Sequence, residues 1–189
     1  MENEPTNPSP NEGVQNEKDV TGETVNVQQS TVQNVNATNV TLRQAGMQTA
    51  NADRLVVRQG GMMRAKTENL EMLQAGAGII QTGTAQLTAS NAGALIANGS
   101  VNMDQSAARV LVANGEVRFD QSGAVVLIAN QVRTDNNSGT VFLFARKVDG
   151  NINTAFGPRE SVLFGAVAGL VAGVVVLMGR LFRRRRMKA

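Results

Sequence analysis

The sequence predicts an all-β chain: a stacked β-solenoid (parallel β-helix) of about eight coils, followed by one C-terminal transmembrane helix. Three observations carry this. Residues 23–152 align with themselves when slid by fifteen or sixteen positions. Aligned positions keep their residue type from copy to copy, which an antiparallel sandwich has no reason to do. And the chain has 19 Gly and only six Phe, with no Tyr or Trp, a composition suited to a thin core of small and medium side chains.

The repeat is clearest in NAGALIANGSVNMDQ, SAARVLVANGEVRFDQ, SGAVVLIANQVRTDN and NSGTVFLFARKVDGN, and fainter in AGMQTANADRLVVRQ and GGMMRAKTENLEMLQ. Each copy holds two alternating segments. One recurs as Val25/Val27, Val40/Leu42, Leu55/Val57, Leu70/Met72, Leu87/Ala89, Val101/Met103, Val117/Phe119 and Val132/Thr134, with Val148 opening a ninth, incomplete copy. The other runs large–x–small: Met47/Thr49, Met63/Ala65, Ile80/Thr82, Leu95/Ala97, Leu111/Ala113, Leu127/Ala129 and Leu143/Ala145, with Val32 opening the first copy. Alternation sends each named pair inward and the residue between them outward. One coil cannot bury its own inward row, so the copies must stack.

Two turns repeat as well. Asn98-Gly99, Asn114-Gly115 and Asn130-Gln131 are expected to supply a left-handed corner, with their amides free to bond up the column. Asp104-Gln105-Ser106, Asp120-Gln121-Ser122 and Asp135-Asn136-Asn137 mark another corner. It aligns three carboxylates, which read as turn-forming residues balanced by Arg118 and Arg133 rather than as a metal site.

The outward residues separate two faces. Beside the first segment they are polar or charged, for example Arg43, Arg58, Glu71, Asn102, Arg118 and Arg133. Beside the second they begin with Gln48, Arg64 and Gln81. They then become Ala94/Ile96, Val110/Val112, Val126/Ile128 and Phe142/Phe144. A contiguous apolar face on a soluble surface marks a contact. Val110, Val112, Val126, Ile128, Phe142 and Phe144 are therefore the candidate self-association face. The rival reading is a register error that would put Leu111 outside.

Residues 1–22 are polar, acidic and hold three Pro, and read as a disordered tail without the features of a signal peptide. Residues 153–160 are the expected linker. Residues 161–180 are the expected transmembrane helix: VLFGAVAGLVAGVVVLMG (162–179) is eighteen residues without a charge. As a helix it is about 27 Å long, close to a hydrocarbon core. Gly165, Gly169 and Gly173 share one helical face and suit helix–helix packing in lipid. In the last ten residues, spanning the helix end and the basic tail 181–189, Arg180, Arg183, Arg184, Arg185, Arg186 and Lys188 are placed at lipid headgroups. Outside those ten, 12 basic groups face 15 acidic ones, so the body offers no nucleic-acid footprint.

There is no Cys and no His. Thiol nucleophiles, imidazole bases and the usual zinc or haem ligands are gone together, so no enzyme, cofactor, metal or small-molecule substrate is expected. The arginines after the apolar run argue for a cytoplasmic C-terminus. The missing export signal argues instead for a cytoplasmic solenoid, and the second argument is preferred.

The tail PRESVLFGAVAGLVAGVVVLMGRLFRRRR (158–186) resembles those of small bacterial C-tail-anchored inner-membrane proteins. The repeat of residues 23–152 is similar in architecture to bactofilins, polymer-forming bacterial β-solenoids that associate with membranes. These resemblances imply a cytosolic solenoid at an inner membrane and scaffold or cytoskeletal work. The expected function is a membrane-anchored, self-associating scaffold binding membrane lipids and copies of itself. The alternative is a binding rod or adhesin displayed outside the cell.

Overall fold

The computed structural model describes residues 19–156, and these form a parallel β-solenoid of about nine turns. Its strands are β1 (Asp19–Gln28), β2 (Thr31–Arg43), β3 (Gly46–Arg58), β4 (Gly61–Leu73), β5 (Gly76–Thr88), β6 (Asn91–Ala97), β7 (Val101–Asp104), β8 (Ala107–Asp120) and β9 (Gly123–Phe156), the last running through more than one turn. Every recorded pairing is parallel. Residues 19–22, which the sequence assigned to the acidic tail, belong to the first turn: Val20 sits on Val35. The assignments to residues 1–18 and 157–189, including the membrane helix and the basic tail, lie outside the described residues.

Burial shows three inward pairs per coil rather than two. In the coil of residues 45–59 they are Ala45/Met47, Ala50/Ala52 and Leu55/Val57, all buried, with two outward residues after each pair. Strict alternation would keep the backbone flat. Two successive outward residues break it, so the chain bends three times per coil and closes on itself. We call the sides carrying these pairs side 1, side 2 and side 3. Side 1 was not legible as a separate side.

The missing side explains several misassigned pairs. Met47 and Val32 stack with Met62 in the inner column of side 1, and side 2 of the early coils is Ala50/Ala52 and Ala65/Thr67. Met47/Thr49 and Met63/Ala65 are thus not pairs; Met63 lies on a bend, 68% exposed. From Ile80/Thr82 onward the large–x–small pairs stand as read. On side 3 the pair is Ala85/Leu87, not Leu87/Ala89, because Ala89 is an exposed corner residue with φ of 47°. Val148 continues the column of Val132 but is 40% exposed.

Core volume is shared between sides 1 and 2. The lower coils set a large residue on side 1 against a small one on side 2, as Met47 with Ala50 and Met62 with Ala65. The upper coils reverse this, as Ala92 with Leu95, Ala108 with Leu111 and Ala124 with Leu127. The sum stays nearly constant, as close packing in a narrow interior requires. The reversal falls at Ala77 and Ile80, in β5.

Coil length changes just above. Lower coils repeat at fifteen residues (Gly61 on Gly76, Gly76 on Asn91), upper ones at sixteen (Asn91 on Ala107, Ala107 on Gly123). The added residue first enters the bend between sides 2 and 3. Thr82 pairs with Ala97 at a separation of fifteen, whereas Ala85 pairs with Val101 at sixteen.

The left-handed corner lies between sides 3 and 1, not at the Asn-Gly dipeptides. Gln29, Gln44, Gln59, Gln74, Ala89, Gln105 and Gln121 hold φ between 46° and 54°. In the lower coils their amides form a ladder, Gln29 to Gln44 (3.2 Å), Gln44 to Gln59 (3.3 Å) and Gln59 to Gln74 (3.1 Å). Ala89 ends it. Above, buried serines one residue later take over. The N–H groups of Ala75, Ser90 and Ser106 donate to the hydroxyls of Ser90, Ser106 and Ser122, at 3.0–3.1 Å. Those hydroxyls in turn donate to the carbonyls of Thr88, Asp104 and Asp120. At the Asn-Gly bend glycine serves close stacking: a Cβ on Gly115 would lie 2.6 Å from the Gly99 carbonyl carbon. Asn130 donates there to the backbone carbonyl of Asn114, so the expected ladder of Asn amides gives way to a side chain–backbone bond.

Candidate interaction face

Side 2 of the upper coils and the bend leading into it form one apolar surface. In the middle of side 2, Ile96, Val112, Ile128 and Phe144 stack in one outward column. Ile79, Ala94, Val110 and Val126 follow one another in the adjoining bend, with Phe142 at the next step. Val110, Ile128, Phe142 and Phe144 are exposed, and Val112 and Val126 are half-buried. The residues between them, Leu95, Leu111 and Leu127, are fully buried. The register that would turn Leu111 outward is therefore rejected. The structure extends the surface to Ile79 and Val125, both exposed, which two-segment reasoning missed because bend residues fall outside strict alternation.

Phe144, at the C-terminal end, is the most exposed residue of this face, at 55%. Between residues 90 and 145, sides 1 and 2 and the bend joining them carry no carboxylate, and Arg109 is their one charged residue. Asp104, Asp120 and Asp135 stand at the opposite corner, and Glu116 borders side 3. The whole described stack holds ten basic and ten acidic side chains. No net charge opposes the approach of a second copy.

The proposed column of three carboxylates is only two high. Asp104 sits under Asp120, but a bulge after Phe119 places Asn136 above Asp120. The Asn136 amide donates to the Asp120 carboxylate (2.9 Å), and Asp135 turns to Arg118 (3.4 Å). Arg133 pairs with Glu116 (3.7 Å) instead. These pairs are half-exposed and contribute little to stability. Among the described residues no group of three His, Cys, Asp or Glu could hold a metal ion.

Side 3 carries an open groove of about 730 Å³, lined by Arg54, Glu71, Thr84, Gln86, Ser100 and Arg118 among others. It spans the coils where the repeat lengthens. Below the apolar face, a smaller cavity of about 370 Å³ is lined by Asp53, Lys66, Glu68 and Ile96. At the last coil, the Lys147 ammonium 3.0 Å from Asp149 holds its carboxyl below the ordinary value, and a bond from Gln131 acts the same way.

No family model, no curated protein and no solved structure matches the chain. Among the described residues no helix is long and apolar enough to cross a membrane. Gly165, Gly169, Gly173 and the arginine cluster lie beyond them.

Proposed function

We propose that this protein is a structural scaffold, not a catalyst, anchored in a membrane through residues 161–180 and self-associating through side 2 of its upper coils. A β-solenoid is compatible with a rod-like structural role. The observation that carries the self-association is the apolar column Ile96, Val112, Ile128 and Phe144, exposed at all but the half-buried Val112, on a surface free of carboxylates. Apolar area is removed from water when two such faces meet, at about 25 cal/mol per Å². Gly165, Gly169 and Gly173 add a second contact in lipid, and Arg180 to Lys188 meet the headgroups. The solenoid is placed on the cytoplasmic side of a bacterial inner membrane.

Val112→Asp combined with Ile128→Asp is expected to lower the particle mass in detergent while leaving the β-sheet circular dichroism intact. Light scattering and electron microscopy of the purified protein check this. An unchanged mass removes the face from the assembly. The polar groove on side 3 favours a second reading, a binding rod displayed outside the cell. Digestion of the solenoid by protease added to intact cells would select that reading.

A further inference from the structure

Side 2 carries its charges at its edges, and the edges decide how a second copy can lie on it. In the coil of residues 60–74, Arg64 precedes the inward pair Ala65/Thr67 and Glu68 follows it. The two stand at opposite edges of the face, both exposed, and neither enters an ion pair among the described residues. Three coils higher, Arg109 stands at the first edge and Glu116 beyond the second. Arg109 has no ion pair among the described residues either, and Glu116 holds Arg133 at 3.7 Å.

A self-complementary contact between two copies obeys a two-fold axis. With that axis along the solenoid, the copies lie parallel and in register. The first edge of each then meets the second edge of the other at the same height. Arg64 faces Glu68 of the other copy, and Arg109 faces its Glu116. Packed sheets lie about 10 Å apart, a gap that an arginine and a glutamate side chain bridge together. Phe142 comes level with Arg146 and Lys147, which suits a cation over a ring. Asn36, Asn51 and Gln81 meet their own copies, and amides both donate and accept. Asp53 and Arg54 face the uncharged Gln48 and Thr49. Like charges meet twice, Lys66 with itself between two Glu68 carboxylates, and Asp19 with Glu23 in the first turn.

With the axis across the solenoid, the copies run antiparallel. Matching the apolar coils sets Ile96 on Phe144 and Val112 on Ile128, and the first edge meets the first edge. Arg109 is then left against Val125 and Val126, with no carboxylate opposite. Only the four coils of Ile96, Val112, Ile128 and Phe144 overlap. That is roughly 300 Å² per copy, against roughly 700 Å² for the whole stack in parallel register. Stable interfaces bury about 800 Å² per partner.

We propose that two copies pair parallel and in register through side 2, about a two-fold axis along the solenoid, with Arg64–Glu68 and Arg109–Glu116 bridges between them. The proposal rests on the self-association reading and adds its geometry. Such a contact is closed: it uses up side 2 of both copies, so assembly through this face stops at two. Both chains then continue past Phe156 at the same end of the pair.

The chain has no cysteine, so single introduced thiols report the contact cleanly. The full-length protein in detergent carries either Ile96→Cys or Phe144→Cys, one of them size-tagged, and is treated with a short bis-maleimide. Each variant alone should give cross-linked dimers. Their yield should exceed that of the Ile96→Cys to Phe144→Cys product in a mixture by about fivefold or more, through higher effective concentration. An equal or greater yield of the mixed product would overturn the parallel pairing and leave self-association standing. No cross-link in any sample would sink self-association through this face, and the pairing with it. Charge exchange tests the bridge in the cysteine-free chain. Arg64→Glu and Glu68→Arg should each weaken dimerisation by about tenfold, because like charges then face each other. Mixing the two variants should restore it, since each supplies the charge the other lacks. A mixture that dimerises no better than either variant alone would overturn the proposed register.

Discussion

The lower and upper halves of the stack are built from one plan with different materials. Residues 30–89 repeat every fifteen residues and tie the left-handed corner with exposed glutamine amides, and the coils of Met47 and Met62 put their bulk on side 1. Residues 90–138 repeat every sixteen and put their bulk on side 2. They tie the same corner from inside with serine hydroxyls. The outer surfaces differ accordingly: Asn51, Lys66 and Gln81 give way to Ile96, Val112 and Ile128. The backbone plan thus leaves the middle outward column of side 2 free to change chemistry.

The sharpest test of the comparison is to transplant one half's core into the other. Leu111→Ala alone removes a fully buried side chain and should cost about 2–5 kcal/mol. Ala108→Met alone overfills its coil and should cost about 1–3 kcal/mol. Together they recreate the Met47/Ala50 arrangement, and should cost clearly less than the sum if the two sides share one volume. Urea unfolding midpoints of the three variants decide this; strict additivity would mean that the columns pack independently.

A smaller effect is expected at the corner. Ser106→Ala removes the acceptor for the Ser90 N–H inside the stack and should cost about 1–3 kcal/mol. Gln59→Ala, in the exposed ladder, should cost less, and hydrogen exchange at Ser90 and Ala45 compares the two sites.

The smallest effect has the opposite sign. Gln105 holds φ of 48° with no ladder bond recorded for its side chain, so Gln105→Gly should stabilise by up to about 1 kcal/mol by relieving a left-handed conformation. Gln59→Gly relieves the same strain but forfeits two amide bonds, and its thermal midpoint should stay near the parent value.

These contrasts also show what the sequence could reveal. Stacking, parallel pairing and the outward turn of Val110, Ile128 and Phe144 were legible, because Leu95, Leu111 and Leu127 repeat an unmistakable size at a fixed interval. The lower coils were not. There the large side chain moves from the side 2 column to Met47 and Met62 on side 1, and an alignment by size follows it onto the wrong side. The corner was missed for a related reason. Asn-Gly advertises left-handed backbone, whereas glutamine does so only when neighbouring copies align its amides. Ile79 and Val125 were hidden at bends, where alternation is suspended. Asp53 and Glu68 become neighbours only once the coils are stacked.

A ladder of equivalent rungs has an inherent hazard: any rung can settle one place too high, with almost every hydrogen bond intact. The exchange of large and small residues at Ala77 and Ile80 acts as a bookmark against this. In the correct stack Met62 lies under Ala77 and Ala65 under Ile80, and the fifteen-residue coil that starts at Gly76 lies under the sixteen-residue coil that starts at Asn91. The change of side-chain size and the change of coil length thus fall one coil apart, and a stack that skips the Gly76 coil loses that spacing.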